Sequence, residues 1–369
     1  MLTIKLSLPG FEHPDISQFT GTRDNTFRNC VFYINRDDIL SADFWVCLEG
    51  PYKSLETCRV NKKNVIYLAA EVAWPRFFYD NELKRSFLNQ FGRVYTCHDV
   101  YADNVVFCPP YLPWMINANH GQSIFSASER DRSYFSALNQ LPKTKQLSVF
   151  CSAQTWTNDH KMRLKFVKAL KNHFGDTLDW FGNGIQPLDR KWEGIAPYKY
   201  HLVLENQSRF DVITEKLYDS FLGLAYPIYY GAPNVGDYFD LTAMATINIL
   251  DLNGSIKKIE QILTTDPYQA TLPALVESKS RVLTKYNLFE RIVDLCQASY
   301  QGSSTEAKAA EQVVLKPLAD FDVVNDLKTA LEERQYQVLF NRLAYYYPGH
   351  LLQRLSNKLL DNYRRKDLS

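Results

Sequence analysis

Residues 196–239 read APYKYHLVLENQSRFDVITEKLYDSFLGLAYPIYYGAPNVGDYF. An apolar run, Tyr200 to Leu204, has the composition of a buried strand and stops at the pair Glu205-Asn206. A polar loop follows, and a helix is predicted from Thr214 to Leu224, opening around Ile213-Thr214-Glu215-Lys216. Tyr226 to Tyr230 reads as the next strand. Strand, helix and strand in that order predict a parallel sheet covered by helices. In such sheets ligands sit beyond the C-terminal ends of strands, beside helix N-termini. Free N–H groups and the helix dipole there favour phosphate. Lys216 adds a point charge for a phosphate, and Glu205 and Glu215 are acceptors suited to sugar or ribose hydroxyls. The purely structural alternative has Glu215 complementing the helix dipole and Lys216 on a solvated helix face.

The same alternation extends outward. Upstream, Leu147 to Cys151 is a predicted strand, Ser152 to Asp159 a polar loop, His160 to Phe174 an amphipathic helix and Leu178 to Phe181 a strand. Downstream, Thr246 to Leu250 is a predicted strand, and a long helical region begins near Leu272. Arg163 lies on the helix after the first of these strands. Its guanidinium fork matches phosphate oxygens, with Lys161 and Lys165 as rivals and an ordinary surface arginine as the alternative. Nearer the N-terminus, strands are predicted at Asp43 to Leu48, Asn64 to Ala69, Gly92 to Thr96 and Asn104 to Phe107, with a helix over Phe77 to Phe91. The Ser- and Asn-rich stretch 120–145, containing SASERDRS, reads as a linker. The predicted organisation is one Rossmann-like domain over 1–140, a second over 141–300 and a helical extension over 301–369. Two α/β, Rossmann-like domains facing a cleft form the GT-B architecture of many glycosyltransferases. A dinucleotide-dependent dehydrogenase would need G-x-G-x-x-G after a strand. The chain offers only Gly182-Asn183-Gly184.

Composition agrees with a soluble globular chain: 369 residues, 46% hydrophobic and 22% charged, enough for two cores. A net charge of +1 argues against nucleic acid as a partner. The 23 Tyr, 22 Phe and 6 Trp fit either sugar stacking or an aromatic core, and the core is favoured. Seven cysteines without a CxxC pair read as free thiols in a reducing compartment, with no zinc set. The N-terminus MLTIKLSLPGF has no long apolar run, so the expectation is a cytoplasmic protein. The tail, Val338 to Ser369, has an amphipathic pattern. It either docks peripherally on the inner face of a membrane or packs on the domains.

The run Tyr-Lys-Tyr at 198–200, Glu205-Asn206, Ile213-Thr214-Glu215-Lys216 and the segment Pro-Ile-Tyr-Tyr-Gly-Ala-Pro at 227–233 resembles the signature of the α-1,3-fucosyltransferase family. Weaker similarity spans Val65 to Phe289. The resemblance implies acceptor binding for the domain over 1–140 and nucleotide-sugar donor binding for the domain over 141–300. The resemblance implies GDP-fucose as donor, with Arg163 and Lys216 gripping the diphosphate and Glu215 holding a donor hydroxyl. Glu205, Asn206 and Thr214 complete the donor set. The acceptor would be a glycan hydroxyl on a surface polysaccharide of lipopolysaccharide or capsule type. No metal and no cofactor beyond the sugar nucleotide are implied. Where some members place an aromatic residue against the base, this chain has Val212, with Tyr218 or Phe210 as substitutes. Glu71, at the end of a predicted strand, is the candidate general base, and His98 and Asp99 are in reserve. The expected reaction is one inverting displacement. Asp320-Phe321-Asp322 has the DxD form of metal sites but reads as the acidic start of a helix. The same fold acting on another sugar nucleotide, and a catalytically silent binding protein, are the competing readings.

Overall fold

The computed structural model describes residues 1–53, 55–70, 81–98, 100, 102, 104–119, 123–155, 158–301 and 310–321. In the first half the strands are β1 (Leu2–Ser7), β2 (Thr26–Phe27), β3 (Cys30–Ile34), β4 (Phe44–Leu48), β5 (Glu56–Val60), β6 (Val65–Leu68), β7 (Arg93–Thr96) and β8 (Val105–Phe107). The helices are α1 (Ser17–Thr20), α2 (Asn81–Leu88) and α3 (Arg132–Ala137). Seven of the strands form one sheet in the order β2-β3-β1-β4-β6-β7-β8, parallel except for β2 against β3. Strands β4 and β6, FWVCL and VIYL, are buried at every position. That is what a parallel sheet covered on both faces requires.

The second half contains β9 (Lys145–Phe150), α4 (Asn158–Phe174), β10 (Leu178–Phe181), β11 (Tyr198–Leu204), α5 (Glu215–Leu222), β12 (Tyr226–Tyr230) and β13 (Ala245–Thr246). Helices α6 (Leu252–Thr265), α7 (Tyr268–Thr284) and α8 (Leu288–Gln301) follow. Its sheet is all parallel, in the order β10-β9-β11-β12-β13. The two sheets give the GT-B type of architecture, one Rossmann-like unit in each half. In the second sheet the strand order reverses between β9 and β11, and ligands of doubly wound sheets bind in the crevice at such a switch point. The segments leaving β9 and β11 are those that carry Arg163 and the 205–216 motif.

A continuous buried cluster joins the halves, running from Ile4, Phe19 and Phe32 to Leu202, Tyr218 and Phe289. Helix α8 returns to the first half. Phe289 packs on Phe19 and Phe32, with ring centroids 5.8 and 5.5 Å apart, and Asn287 Nδ2 donates to Phe19 O at 2.8 Å. Glu290 pairs with Arg28 and Arg132 of the first half.

Several elements differ from the sequence expectation. The stretch 120–145 is more than a linker: Asp131 caps α3 by accepting from Tyr134 N at 2.9 Å, and Phe135 is fully buried. Strand β13 stops at Thr246, because the Asn248 and Asp251 side chains bond to the backbone N–H groups of Leu250 and Gly254. In the expected helical extension, the first described element is a strand, β14 (Glu311–Leu315), antiparallel to β5. Asp320 and Phe321 lie in a short 3₁₀ turn, where Phe321 packs on Phe87 of α2. Asp322 and the tail Val338 to Ser369 lie outside the described residues. All seven cysteines are free.

Candidate functional site at the N-terminus of helix α5

Strand β11 ends by handing Glu205 N–H to Tyr230 O at 2.8 Å, so Glu205 is fixed in the sheet edge and is 1% exposed. Thr214 is the N-cap of α5, in extended conformation. Its N–H and hydroxyl donate to the two Glu205 oxygens at 2.8 and 2.7 Å. The Lys216 ammonium then meets Thr214 Oγ1 at 3.0 Å, Glu215 Oε1 at 3.1 Å and Glu205 Oε2 at 3.5 Å. Across the switch point, Arg163 of α4 donates from Nη1 to Leu204 O at 3.2 Å and to Asn206 Oδ1. Its Nε is buried without a hydrogen-bond partner among the described residues. Arg163, Glu205, Asn206, Thr214, Glu215 and Lys216 therefore form one cluster. Glu71 and Asp99 lie outside the described residues; His98, in reserve, is buried beside Cys97.

The charges are unequal. Burial works to raise the Glu215 carboxyl, but Lys216 and Lys191, with hydrogen bonds from Lys216 and Thr214, outweigh it and hold it at about 2. Burial wins at Glu205, which is raised despite Lys216 and Thr214. Burial would lower Lys216, yet Glu215 and Glu205 carry it above its ordinary value. His160, on the same helix as Arg163, is lowered by burial and by the positive charges of Arg163 and Lys216. The site thus sets the Lys216 ammonium, at the N-terminus of α5, near the Arg163 guanidinium, at the end of β11, with one carboxylate firmly ionised. Such a set can bind a diphosphate and present an acceptor to a hydroxyl.

The sequence reading missed what supports this set. Gly231 touches it directly: a Cβ there would lie 2.2 Å from Tyr229 Oη and 2.6 Å from Glu205 Cγ. Tyr229 Oη accepts from Ala232 N at 2.8 Å and donates to Val212 O at 3.4 Å. The Tyr-Tyr-Gly-Ala portion of the motif is therefore a clamp under the site. Asp219, fully buried on α5, accepts from Met115 N of the first half at 2.8 Å and pairs with Lys191 at 2.5 Å. Glu49 follows β4 with a left-handed φ of 64°, and its carboxylate accepts from Tyr67 Oη at 2.9 Å and from Ala70 N. A non-glycine residue in that region marks a place the surrounding structure over-determines. Of the two aromatics weighed for base contact, Tyr218 is 1% exposed and stacks on Tyr286, so it belongs to the core. Phe210 is 69% exposed.

Residues 141–265 match the family model described as glycosyltransferase family 10 (fucosyltransferase) C-term. The chain is 31% identical over 107 residues to the alpha-(1,3)-fucosyltransferase FucT of Helicobacter pylori, covering 25% of this chain and 21% of that protein. It is 33% identical over 104 residues to a 4-galactosyl-N-acetylglucosaminide 3-alpha-L-fucosyltransferase of Gorilla gorilla gorilla, covering 27% and 26%. The matches span about a fifth to a quarter of the length of these curated relatives. Among solved structures, an alpha1,3-fucosyltransferase aligns at 16% identity and TM-score 0.45, over 73% of this chain and 80% of that one. Anabaena HepE with UDP-glucose aligns at 9% identity and TM-score 0.44, over 82% and 100%. The family model and the curated relatives show that residues 141–265 resemble the C-terminal part of glycosyltransferase family 10.

Proposed function

We propose that the protein is an inverting glycosyltransferase of the fucosyltransferase type, which transfers fucose from GDP-fucose to a glycan hydroxyl. The observation that carries this reading is the joining of Arg163 and Lys216 around the N-terminus of α5 at the switch point of the second sheet. In the proposed reaction the acceptor oxygen attacks the anomeric carbon as the bond to the diphosphate breaks. Negative charge grows on the leaving diphosphate, where Arg163, Lys216 and the helix N–H groups oppose it. Glu215, ionised across the working pH range, accepts a donor hydroxyl. Glu71 takes the proton of the attacking hydroxyl. Lys216 is held internally by three oxygens, so donor phosphate must draw it away from Glu205 and Thr214. The gorilla relative is named for a 4-galactosyl-N-acetylglucosaminide, which makes N-acetyllactosamine the first acceptor to try. Glycans of lipopolysaccharide or capsule type are the proposed natural acceptors. A second reading, another sugar nucleotide in the same site, is favoured by Val212, which is 2% exposed and offers the base no aromatic face.

The deciding experiment compares GDP with UDP as ligands, then GDP-fucose with UDP-sugars as donors. GDP should raise the melting temperature and UDP should not; the reverse result moves the donor to a UDP-sugar. The charge clamp on the diphosphate is built from side chains, so transfer is expected to persist in excess EDTA. Loss that Mn²⁺ restores would overturn the clamp. Lys216→Ala should lower kcat/KM by about 10²–10³-fold, the scale of removing one preorganised donor from a developing charge. It should also cost stability, since Glu205 and Glu215 lose their shared cation. Lys216→Arg, which keeps the charge, separates the two effects: near-normal folding with reduced transfer assigns the lysine to the chemistry.

A further inference from the structure

A cavity of about 160 Å³ lies between the segment that follows β8, which supplies Asn117, Ser128, Glu129 and Arg130, and the segment that precedes β11, which supplies Arg190 and Trp192. One water needs roughly 10–15 Å³ of such space, so a small molecule has room. The first wall is braced from inside. Gln18, 3% exposed, donates from Nε2 to Ser126 O at 3.0 Å and to Ile124 O. Its Oε1 accepts from Asn117 Nδ2 at 3.0 Å, and the same amide nitrogen donates to Arg130 O at 2.6 Å. Asn117 Oδ1 is left buried with no partner among the described residues. An unmet buried acceptor in a folded protein calls for a water or a ligand beside it. The second wall is tied to the first: Asn119 and Arg190 form an antiparallel bridge, and Lys191 N donates to Ala118 O at 3.2 Å.

Two guanidiniums line this space. Arg130 lies over the Trp192 ring, 4.6 Å from its centroid, which fixes the plane of the fork. Arg190 is exposed. Neither forms an ion pair with a carboxylate among the described residues, although Glu129 shares the lining. The lining thus sets two cations against one carboxylate, with amide and hydroxyl groups around them. Guanidinium forks match a carboxylate with two parallel bonds, and the amides, the Ser128 hydroxyl and Glu129 match the hydroxyls of a sugar. The cavity adjoins the diphosphate cluster. Lys191, between Arg190 and Trp192 in the chain, reaches α5 instead: its ammonium pairs with Asp219 at 2.5 Å and lies 5.9 Å from the ring of Phe150, the last residue of β9. Asp219 is about one turn along α5 from Glu215.

We propose that this cavity is a subsite for a carboxylate-bearing sugar unit of the acceptor glycan, next to the unit that receives the transferred sugar. The inference rests on the glycosyl-transfer reading above and deepens it by giving the acceptor a charge. The carboxylate of the sugar supplies the anion that Arg130 and Arg190 lack, and its ring hydroxyls meet Ser128 and Glu129. A neutral sugar leaves both guanidiniums without an anion and gains less. The walls are joined before the ligand arrives, so little conformational freedom is lost on binding.

The test uses the full chain with methyl glucuronide, methyl glucoside, acetate and GDP as probes, with saturation-transfer NMR giving the saccharide dissociation constants. The glucuronide should bind about tenfold more tightly than the glucoside, the scale of hydrogen bonds made to a charged group. Arg190→Ala should remove that preference while the melting temperature and the GDP dissociation constant stay at wild-type values, because the side chain is exposed and the diphosphate cluster is intact. Arg190→Lys, which keeps the charge but loses the fork, should recover part of it. Equal affinity for glucuronide and glucoside overturns the proposal. So does an Arg190→Ala variant with the wild-type preference, which would place the carboxylate elsewhere. Acetate that competes as well as the glucuronide also overturns it, since the cavity would then read a bare anion and not a sugar. A chain that binds the glucuronide through Arg190 but binds neither GDP nor UDP would keep the acidic-sugar site and sink the transferase reading instead.

Discussion

Gly231 shows how closely the cluster at the N-terminus of α5 is built. It has no unusual φ, so the reason for glycine is space: the atoms a Cβ would strike, Tyr229 Oη and Cζ and Glu205 Cγ, belong to residues that are 1% exposed. Neither can move without breaking a bond of the site, Tyr229 to Ala232 or Glu205 to Thr214. Gly231→Ala should therefore destabilise by about 1–3 kcal/mol, the usual cost of overpacking, and weaken GDP binding as well. Chemical denaturation and calorimetric titration of GDP measure the two. An alanine variant with wild-type GDP affinity would mean the cluster tolerates displacement of Glu205, against the rigidity its bonds imply. The motif around this glycine was legible as sequence, but its reason was not. Which side chain a glycine touches depends on strand pairing, and Glu205 and Gly231 lie at the ends of neighbouring strands, far apart in the chain.

Among elements, the parallel strands of both halves were the most legible, because burial on two faces writes an uninterrupted apolar run. The N-terminal strand LTIKLS went unread. Lys5 interrupts its apolar pattern yet is 1% exposed, held by Glu56 at 3.5 Å and by Arg36 O at 2.8 Å. No local pattern reveals a buried ion pair whose partner lies on another strand. Lys143, between α3 and β9, was likewise read as part of a polar linker. Its ammonium donates to Ala196 O and to Gly223 O, the C-cap of α5, each at 2.7 Å, and burial pushes it down to about 7. The sign of the consequence follows from proton counting. Between about 7 in the folded chain and the ordinary 10.5, the unfolded chain holds a proton that the folded chain lacks. Stability from this group is therefore smallest below pH 7 and grows as pH rises through that window. Lys143→Met should flatten the rise in melting temperature between about pH 7 and 10. A variant with the same slope as wild type would assign that pH dependence to other groups.

Over the whole molecule, the halves that the sequence separates share one buried cluster, and helix α8 from the second half closes the first. Arg291 on that helix joins them most directly. Its guanidinium donates to Pro110 O at 2.6 Å and Pro109 O at 2.7 Å and lies over Tyr111, 3.5 Å from the ring centroid. Such an arginine closes a gap between domains with bonds that neither half could make alone. The proposed reaction needs the acceptor side and the donor side held in register, and small misplacements of reacting groups are costly in rate. Arg291→Ala should lower stability by about 1.5–3 kcal/mol, the range for hydrogen bonds made by a charged group. Calorimetry should still give a single transition, because the shared core survives the substitution. GDP affinity should stay at the wild-type value, since Arg163, Glu215 and Lys216 are all carried by the second half. Transfer to the acceptor should fall more than donor hydrolysis, which needs no partner from the first half. Two separate melting transitions would mean that this one side chain, rather than the core, couples the halves. A parallel loss of GDP affinity would mean that the first half shapes the donor site itself.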